Sequence, residues 1–129
     1  SNFIISKYLI KSMVKRKFGR ILFTSSIGTK FGGADNTFIY STSKYLNEFF
    51  PWIYKSSAKN NVLINTLQIG LTKTKMNLID KKKNLKKRVN LIPLRRMAKP
   101  SEVANYIYFL LSENNTLISN QTLNISGGE

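Results

Sequence analysis

The 129-residue sequence contains no cysteine and no histidine, only three prolines, and 6 acidic residues against 21 lysines and arginines. Each shortage removes a class of chemistry. Without Cys there is no disulfide, thiolate nucleophile or thiolate metal site, and without His there is no imidazole base and no His-ligated zinc. Any catalysis falls to Ser, Thr, Tyr, Lys or carboxylates, with no metal expected. No apolar run comes near the roughly 18 residues that suggest a membrane span. The longest, Val103 to Leu111, is interrupted by Asn105. Ser1-Asn2-Phe3-Ile4-Ile5 lacks a basic n-region and a cleavage signature, so the expectation is a cytoplasmic protein with no membrane partner.

What is present is enough for one core. With 42% hydrophobic and 12% aromatic residues, the chain has the composition and length of a single folded domain. The net charge of +15 invites a nucleic-acid or anionic-membrane reading, so its distribution matters. From Lys73 to Lys99 there are eleven bases and the single acid Asp80, including Lys81-Lys82-Lys83 and Lys86-Lys87-Arg88. No aromatic residue interrupts this run. Single-strand binding surfaces interleave aromatics with cations, so the run reads as a solvated helix or lid, and nucleic acid ranks low among partners.

Periodicity orders the chain. Ile5, Tyr8, Leu9 and Met13 recur at helical spacing opposite Lys7, Lys11 and Lys15, predicting a helix that ends near Phe18 and is terminated by Gly19. Arg20 to Thr24 reads as a short strand buried on both faces, followed by a loop from Ser25 to Asn36 bearing Gly28, Gly32 and Gly33. A second helix starts near Thr37. Its apolar residues Leu46, Phe49, Phe50, Ile53 and Tyr54 cover more than a core-facing stripe, and Pro51 should kink or interrupt it. Val62 to Leu67 predicts a second buried strand, Lys75 to Asn90 a third helix, Pro100 onward a fourth, and Gln121 to Ile125 a last strand. This alternation indicates an α/β fold with a parallel sheet and helices on both faces.

One spacing carries chemistry. In Tyr40-Ser41-Thr42-Ser43-Lys44 the first and last residues share a helical face, so a phenol and an ammonium can act together. A nearby cation favours phenolate and brings a tyrosine toward useful acidity. Ser26 lies at the end of the first strand, where a parallel sheet opens its ligand crevice, and could hydrogen-bond a substrate oxygen.

Gly19-Arg20-Ile21-Leu22-Phe23-Thr24-Ser25-Ser26 and Tyr40-x-x-x-Lys44 together resemble the C-terminal half of a short-chain dehydrogenase/reductase of the 3-oxoacyl-(acyl-carrier-protein) reductase kind. Asn65-Thr66-Leu67-Gln68-Ile69-Gly70-Leu71-Thr72-Lys73-Thr74 is similar to that family's Asn-x-x-x-Pro-Gly-x-x-x-Thr segment, with Ile69 in place of the proline. Ile92 to Arg96, Lys99 to Ala104 and Gln121 to Gly128 resemble the lid exit, final helix and last strand, so the likeness covers the whole chain.

The resemblance implies a partial Rossmann-like, doubly wound sheet of about three strands, with residues 1–129 as a single partial domain and a basic substrate lid over about 73–99. It implies Ser26, Tyr40 and Lys44 as catalytic residues, Ser25 remaining a second alignment for the serine. Tyr40, Lys44, Gly70, Thr72 and Thr74 would hold NAD or NADP. The Gly-rich cofactor turn of the family precedes residue 19 in no form, so the expectation is a C-terminal portion with little activity alone. The leading functional expectation is an oxidoreductase that interconverts a small-molecule carbonyl and secondary alcohol. Homo-oligomers would form through the Tyr40 helix. The competing expectations are a noncatalytic oligomerisation or interaction module and, below it, a basic nucleic-acid or membrane-surface binder.

Overall fold

A computed structural model describes residues 2–33, 35–79 and 84–129. Lys81, Lys82 and Lys83 of the expected lid, with Asp80, lie outside the described residues. In chain order the elements are α1 (Asn2–Lys15), β1 (Gly19–Ser26), a 3-10 turn Ile27–Phe31, α2 (Phe38–Tyr45), a 3-10 turn Leu46–Glu48 and α3 (Trp52–Ser57). There follow a 3-10 turn Ala58–Asn60, β2 (Val62–Ile69), α4 (Lys75–Ile79), α5 (Leu85–Asn90), α6 (Pro100–Leu111) and β3 (Thr122–Ile125). The expected third helix is therefore two short ones.

The three strands form one parallel sheet in the order β1-β2-β3. β1 pairs with β2 from Gly19↔Val62 to Ser26↔Ile69, and β2 with β3 from Thr66↔Thr122 to Ile69↔Ile125. Because all strands run the same way, their C-terminal ends and the loops that follow gather along one edge. That edge carries Ser26, Gly70 and Ser126 side by side.

On one face Phe23, Val62 and Ile64 pack with Ile10 of α1 and Tyr54 of α3, joined by the half-buried Phe3, Met13, Val14, Ile21 and Phe50. The Phe23 and Tyr54 rings stack at 5.8 Å between centroids. Every residue from Val62 to Leu67 is buried, as expected of a central strand. Leu63 and Leu67 alternate to the opposite face, where α6 lies against the sheet with Val103 and Leu110 buried.

Three expectations are corrected. α1 buries Ser6 and Ile10, while Ile5, Tyr8 and Leu9 are exposed. The inward face is Phe3, Ser6, Ile10 and Met13, and Ser6 is admitted because its hydroxyl pairs with the Tyr54 hydroxyl at 2.5 Å. α1 ends at Lys15, and the left-handed residue behind it is Lys17 (φ 55°) rather than Gly19. Gly19 instead begins β1, where a Cβ would lie 2.5 Å from Met13 Sδ. β1 is not buried on both faces: Phe23 and Ser25 are buried while Thr24 is exposed.

Pro51 interrupts the second helix as expected, and the break is wide. The helix passes through the 3-10 turn into extended Phe49 (ψ 125°), and Pro51 then caps α3 with its carbonyl accepting Tyr54 N–H at 2.9 Å. A proline has no N–H for a continuous ladder, but its fixed φ suits a helix start. At the other end of the chain, Glu102 stabilises the start of α6. Its carboxylate accepts two bonds from the Arg96 guanidinium (2.7 and 2.8 Å) and one from Lys99 N–H at 2.7 Å.

Two outcomes follow from this packing. Tyr54 is 1% exposed and Trp52 is 74% exposed, so Tyr54→Ala should cost about 3–5 kcal/mol in a denaturant titration while Trp52→Ala stays within about 0.5 kcal/mol. The Arg96 bonds, then the Lys99 N–H, lower the Glu102 pKa from 4.5 to about 2. A depressed carboxylate adds stability above its unfolded value that is lost as pH falls through its folded value. Thermal melts should therefore show Glu102→Gln closest to wild type near pH 2 and most separated above about pH 5.

Candidate active site

A cleft of about 1060 Å³ opens at the C-terminal edge of the sheet, between α2, the Gly70–Thr74 segment, α4, α5 and the start of α6. Ser26, Tyr40, Lys44, Gly70, Thr72 and Thr74 all line it. The structure thus brings together every site residue read from the sequence, drawn from β1, α2 and the loop after β2. Apolar side chains, among them Leu71, Met76, Leu85, Leu91 and Ile107, form much of the remaining wall, and Lys87 of α5 brings positive charge to it, while Arg88 is ion-paired with the Glu129 carboxylate.

Local geometry presents each group. In α2, Tyr40 and Lys44 are one turn apart, and Lys44 Nζ lies 5.8 Å from the centroid of the Tyr40 ring. Tyr40 is 51% exposed to the cleft side and solvent. The polar residues between them have other work: Thr42 donates to Phe38 O at 2.9 Å, Ser43 to Tyr40 O at 2.7 Å, and Ser41 is buried against the turn after β1. That turn needs glycine at 33. Its φ is +81°, and a Cβ there would lie 2.7 Å from Ser41 Oγ.

The two serines ending β1 differ. Ser25 is buried, its hydroxyl 2.5 Å from Glu48 Oε1 and 3.2 Å from Lys44 O. Ser26 caps the Ile27–Phe31 turn, its Oγ accepting Gly28 N–H at 3.2 Å. Acceptance leaves the Ser26 hydroxyl proton available, whereas the Ser25 proton is committed to a carboxylate.

Beyond β2 the backbone of Gly70 donates to Ile125 O at 3.0 Å, and a Cβ on residue 70 would lie 2.6 Å from Ser126 Cα. Glycine is therefore required here by the close crossing of two backbones. Thr72 spends its hydroxyl on Gly70 O at 3.0 Å and is held by a parallel bridge to Ala98. The Thr74 hydroxyl is buried at the cleft with no hydrogen-bond partner among the described residues. An orphaned hydroxyl of this kind is costly unless a ligand completes it. With the Lys44 ammonium it makes a donor set that fits a carboxamide and a ribose, the nicotinamide end of a dinucleotide.

Sequence reading passed over Glu48, Thr29 and Gln68, whose side chains meet beside the cleft. Glu48 Oε1 is 2.8 Å from Thr29 Oγ1 and 2.9 Å from Gln68 Nε2, in addition to Ser25. The available signal was that Glu48 is one of only two acids before Asn65 and falls one turn after Lys44. Among the described residues no cluster of acids could hold a metal ion, and no helix is long and apolar enough to cross a membrane.

Known proteins resemble this chain in sequence and fold. A family model described as enoyl-(acyl carrier protein) reductase matches residues 1–129. The chain is 33% identical over 127 residues to 3-oxoacyl-(acyl-carrier-protein) reductase FabG of Aquifex aeolicus, covering 98% of this chain and 51% of that protein. It is 32% identical over 130 residues to an acetoacetyl-CoA reductase of an Acinetobacter species, covering 98% and 51%. The solved structure of ElxO with NADP bound superposes with a TM-score of 0.81 at 27% identity, over 95% of this chain and 50% of that one. The chain spans about half the length of the curated relatives it matches. With its parallel sheet, its cleft at the strand ends and these likenesses taken together, the chain belongs to the short-chain dehydrogenase/reductase family.

Proposed function

We propose that this chain carries the proton-transfer and nicotinamide-binding half of an NAD(P)-dependent oxidoreductase that interconverts a carbonyl and a secondary alcohol. The observation that carries the reading is the meeting of Ser26, Tyr40 and Lys44 in one cleft with the unpartnered Thr74 hydroxyl. A nicotinamide cofactor, when bound, supplies or accepts the hydride. The residues of this chain handle the oxygen. In the reducing direction the Tyr40 phenol gives its proton to the substrate oxygen as negative charge develops there, and the Ser26 hydroxyl donates a hydrogen bond to the same oxygen. Lys44, one turn along α2, places a positive charge beside the ring and would hold the ribose of the bound cofactor. In the oxidising direction Tyr40 receives the alcohol proton. The apolar wall and the Lys87 ammonium suit a substrate with an aliphatic part and an anionic carrier. The names of the relatives, a 3-oxoacyl-(acyl-carrier-protein) reductase and an acetoacetyl-CoA reductase, support that substrate class.

A second reading concerns assembly and can hold alongside the first. Ile39 (70% exposed), Leu46 (56%), Phe49 (65%) and Trp52 (74%) leave a broad apolar surface on α2 and the segment that follows it. Contiguous apolar exposure of this kind marks an interaction surface, and we assign it to self-association through the Tyr40 helix.

In the natural polypeptide carrying these residues, Tyr40→Phe should lower kcat for NADH- or NADPH-dependent carbonyl reduction by about 10²–10⁴-fold. Absence of turnover with either cofactor, or unchanged turnover in Tyr40→Phe, would refute the oxidoreductase reading. Thr74→Val, which removes one hydrogen bond, should weaken NAD(P)H binding by about 3- to 10-fold in a fluorescence titration. Light scattering should report a dimer or higher assembly that Phe49→Asp shifts toward monomer; a wild-type monomer would eliminate the assembly reading.

A further inference from the structure

Glu48 takes no part in the proton transfer proposed above, yet its carboxylate is where the parts of the cleft are tied together. It sits in the 3-10 turn that continues α2, one turn after Lys44. A single oxygen, Oε1, faces Ser25 Oγ at 2.5 Å, Thr29 Oγ1 at 2.8 Å and Gln68 Nε2 at 2.9 Å. These donors come from β1, the turn after it, and β2. Each also lies against a second group, so the one hydroxyl proton of Ser25 and of Thr29 stands between two acceptors. The Thr29 hydroxyl is 2.8 Å from the Ser26 carbonyl oxygen, Gln68 Nε2 donates to Thr29 Oγ1 at 2.9 Å, and the Ser25 hydroxyl reaches Lys44 O at 3.2 Å.

The neighbouring residue adds a parallel brace: Asn47 Nδ2 donates to Thr24 O at 3.1 Å, and the Asn47 carbonyl accepts the Thr66 hydroxyl. Ser26 is therefore bracketed. The residue before it is held by its side chain, and its own carbonyl shares the single Thr29 hydroxyl proton with the same carboxylate oxygen. That oxygen belongs to the helix that carries Tyr40. Three donors on one atom call for an acceptor with the capacity of a carboxylate, and bonds to an ionised acceptor are shorter and stronger than neutral ones.

We infer that Glu48 is a positioning residue, setting the placement of the Ser26 hydroxyl against the Tyr40 phenol. The inference rests on the reading that Ser26 and Tyr40 act on one substrate oxygen. Effective alignment of reacting groups is lost with displacements of about 1 Å, at a cost of up to on the order of 100-fold in rate. A merely structural carboxylate would change the folded fraction and leave the rate of folded molecules alone.

The test uses the natural polypeptide carrying these residues, with rates normalised to folded protein and the substrate dependence resolved into kcat and KM. Glu48→Ala should lower kcat by about 10- to 100-fold while the KM for NAD(P)H changes by less than about threefold. Glu48→Gln, which keeps a neutral acceptor oxygen at the same reach but not the capacity of a carboxylate, should recover part of the loss, its kcat lying between those of Glu48→Ala and wild type. Thr29→Val cuts the link from Glu48 to the Ser26 carbonyl without removing volume, and should lower kcat by about 5- to 20-fold. If Glu48→Ala does not fold, Thr29→Val decides. An active wild type whose kcat is unchanged in Glu48→Ala, or in Thr29→Val, overturns the role of Glu48 and leaves the oxidoreductase reading standing. A wild type with no turnover overturns that reading, and the positioning role falls with it.

Discussion

Parallel pairing of β1 with β2 is the constraint on which the rest of the structure depends. The register runs unbroken from Gly19↔Val62 to Ser26↔Ile69, so two loops far apart in sequence leave the sheet side by side. A one-residue slip would turn every side chain of a strand to the other face. It would carry Phe23 out of the cluster with Tyr54 and bring Thr24 into it. The apolar cluster on that face thus holds the same register that brings Ser26 next to the segment beginning at Gly70.

Backbone closeness is the second theme. Gly19 against Met13, Gly33 against Ser41 and Gly70 against Ser126 each mark a place where a Cβ would intrude on a packed neighbour. Gly70 is instructive, because its place in a family motif suggests contact with a ligand, and the geometry adds a close backbone approach to Ser126 just beyond the paired ends of β2 and β3. The nearby Thr74 hydroxyl carries the opposite message, being buried, polar and unpartnered among the described residues. One residue of the segment serves the fold, and another keeps a hydroxyl without a partner among the described residues.

Charge and apolar surface divide the outside of the molecule. Lys87 of α5 reaches the cleft, with Arg88 beside it paired to Glu129, while α2 and the stretch through Trp52 expose large apolar side chains. The first suits attraction of an anion toward the cleft; the second suits burial against another protein surface. α2 has both duties, with Tyr40 and Lys44 lining the cleft and Ile39 turned to solvent.

Much of this was legible from local pattern. The apolar runs of β1 and β2, the break at Pro51, the proline opening α6 and the i, i+4 spacing of Tyr40 and Lys44 depend on interactions between near neighbours in the chain, and such interactions leave a periodic trace. The buried face of α1 left none. Ile5, Tyr8 and Leu9 look as suited to a core as Phe3 and Ile10, and Ser6 looks suited to solvent until Tyr54, far along the chain, supplies its hydroxyl partner. The Glu48 cluster was equally silent, because its donors arrive from β1, the following turn and β2. The sequence by itself determined the α/β alternation, the exclusion of thiol and imidazole chemistry, and the residues that reach the cleft. Only the tertiary structure decided which helix face is buried, which serine keeps its proton free and what holds it in place, since these depend on contacts between segments that no local period encodes.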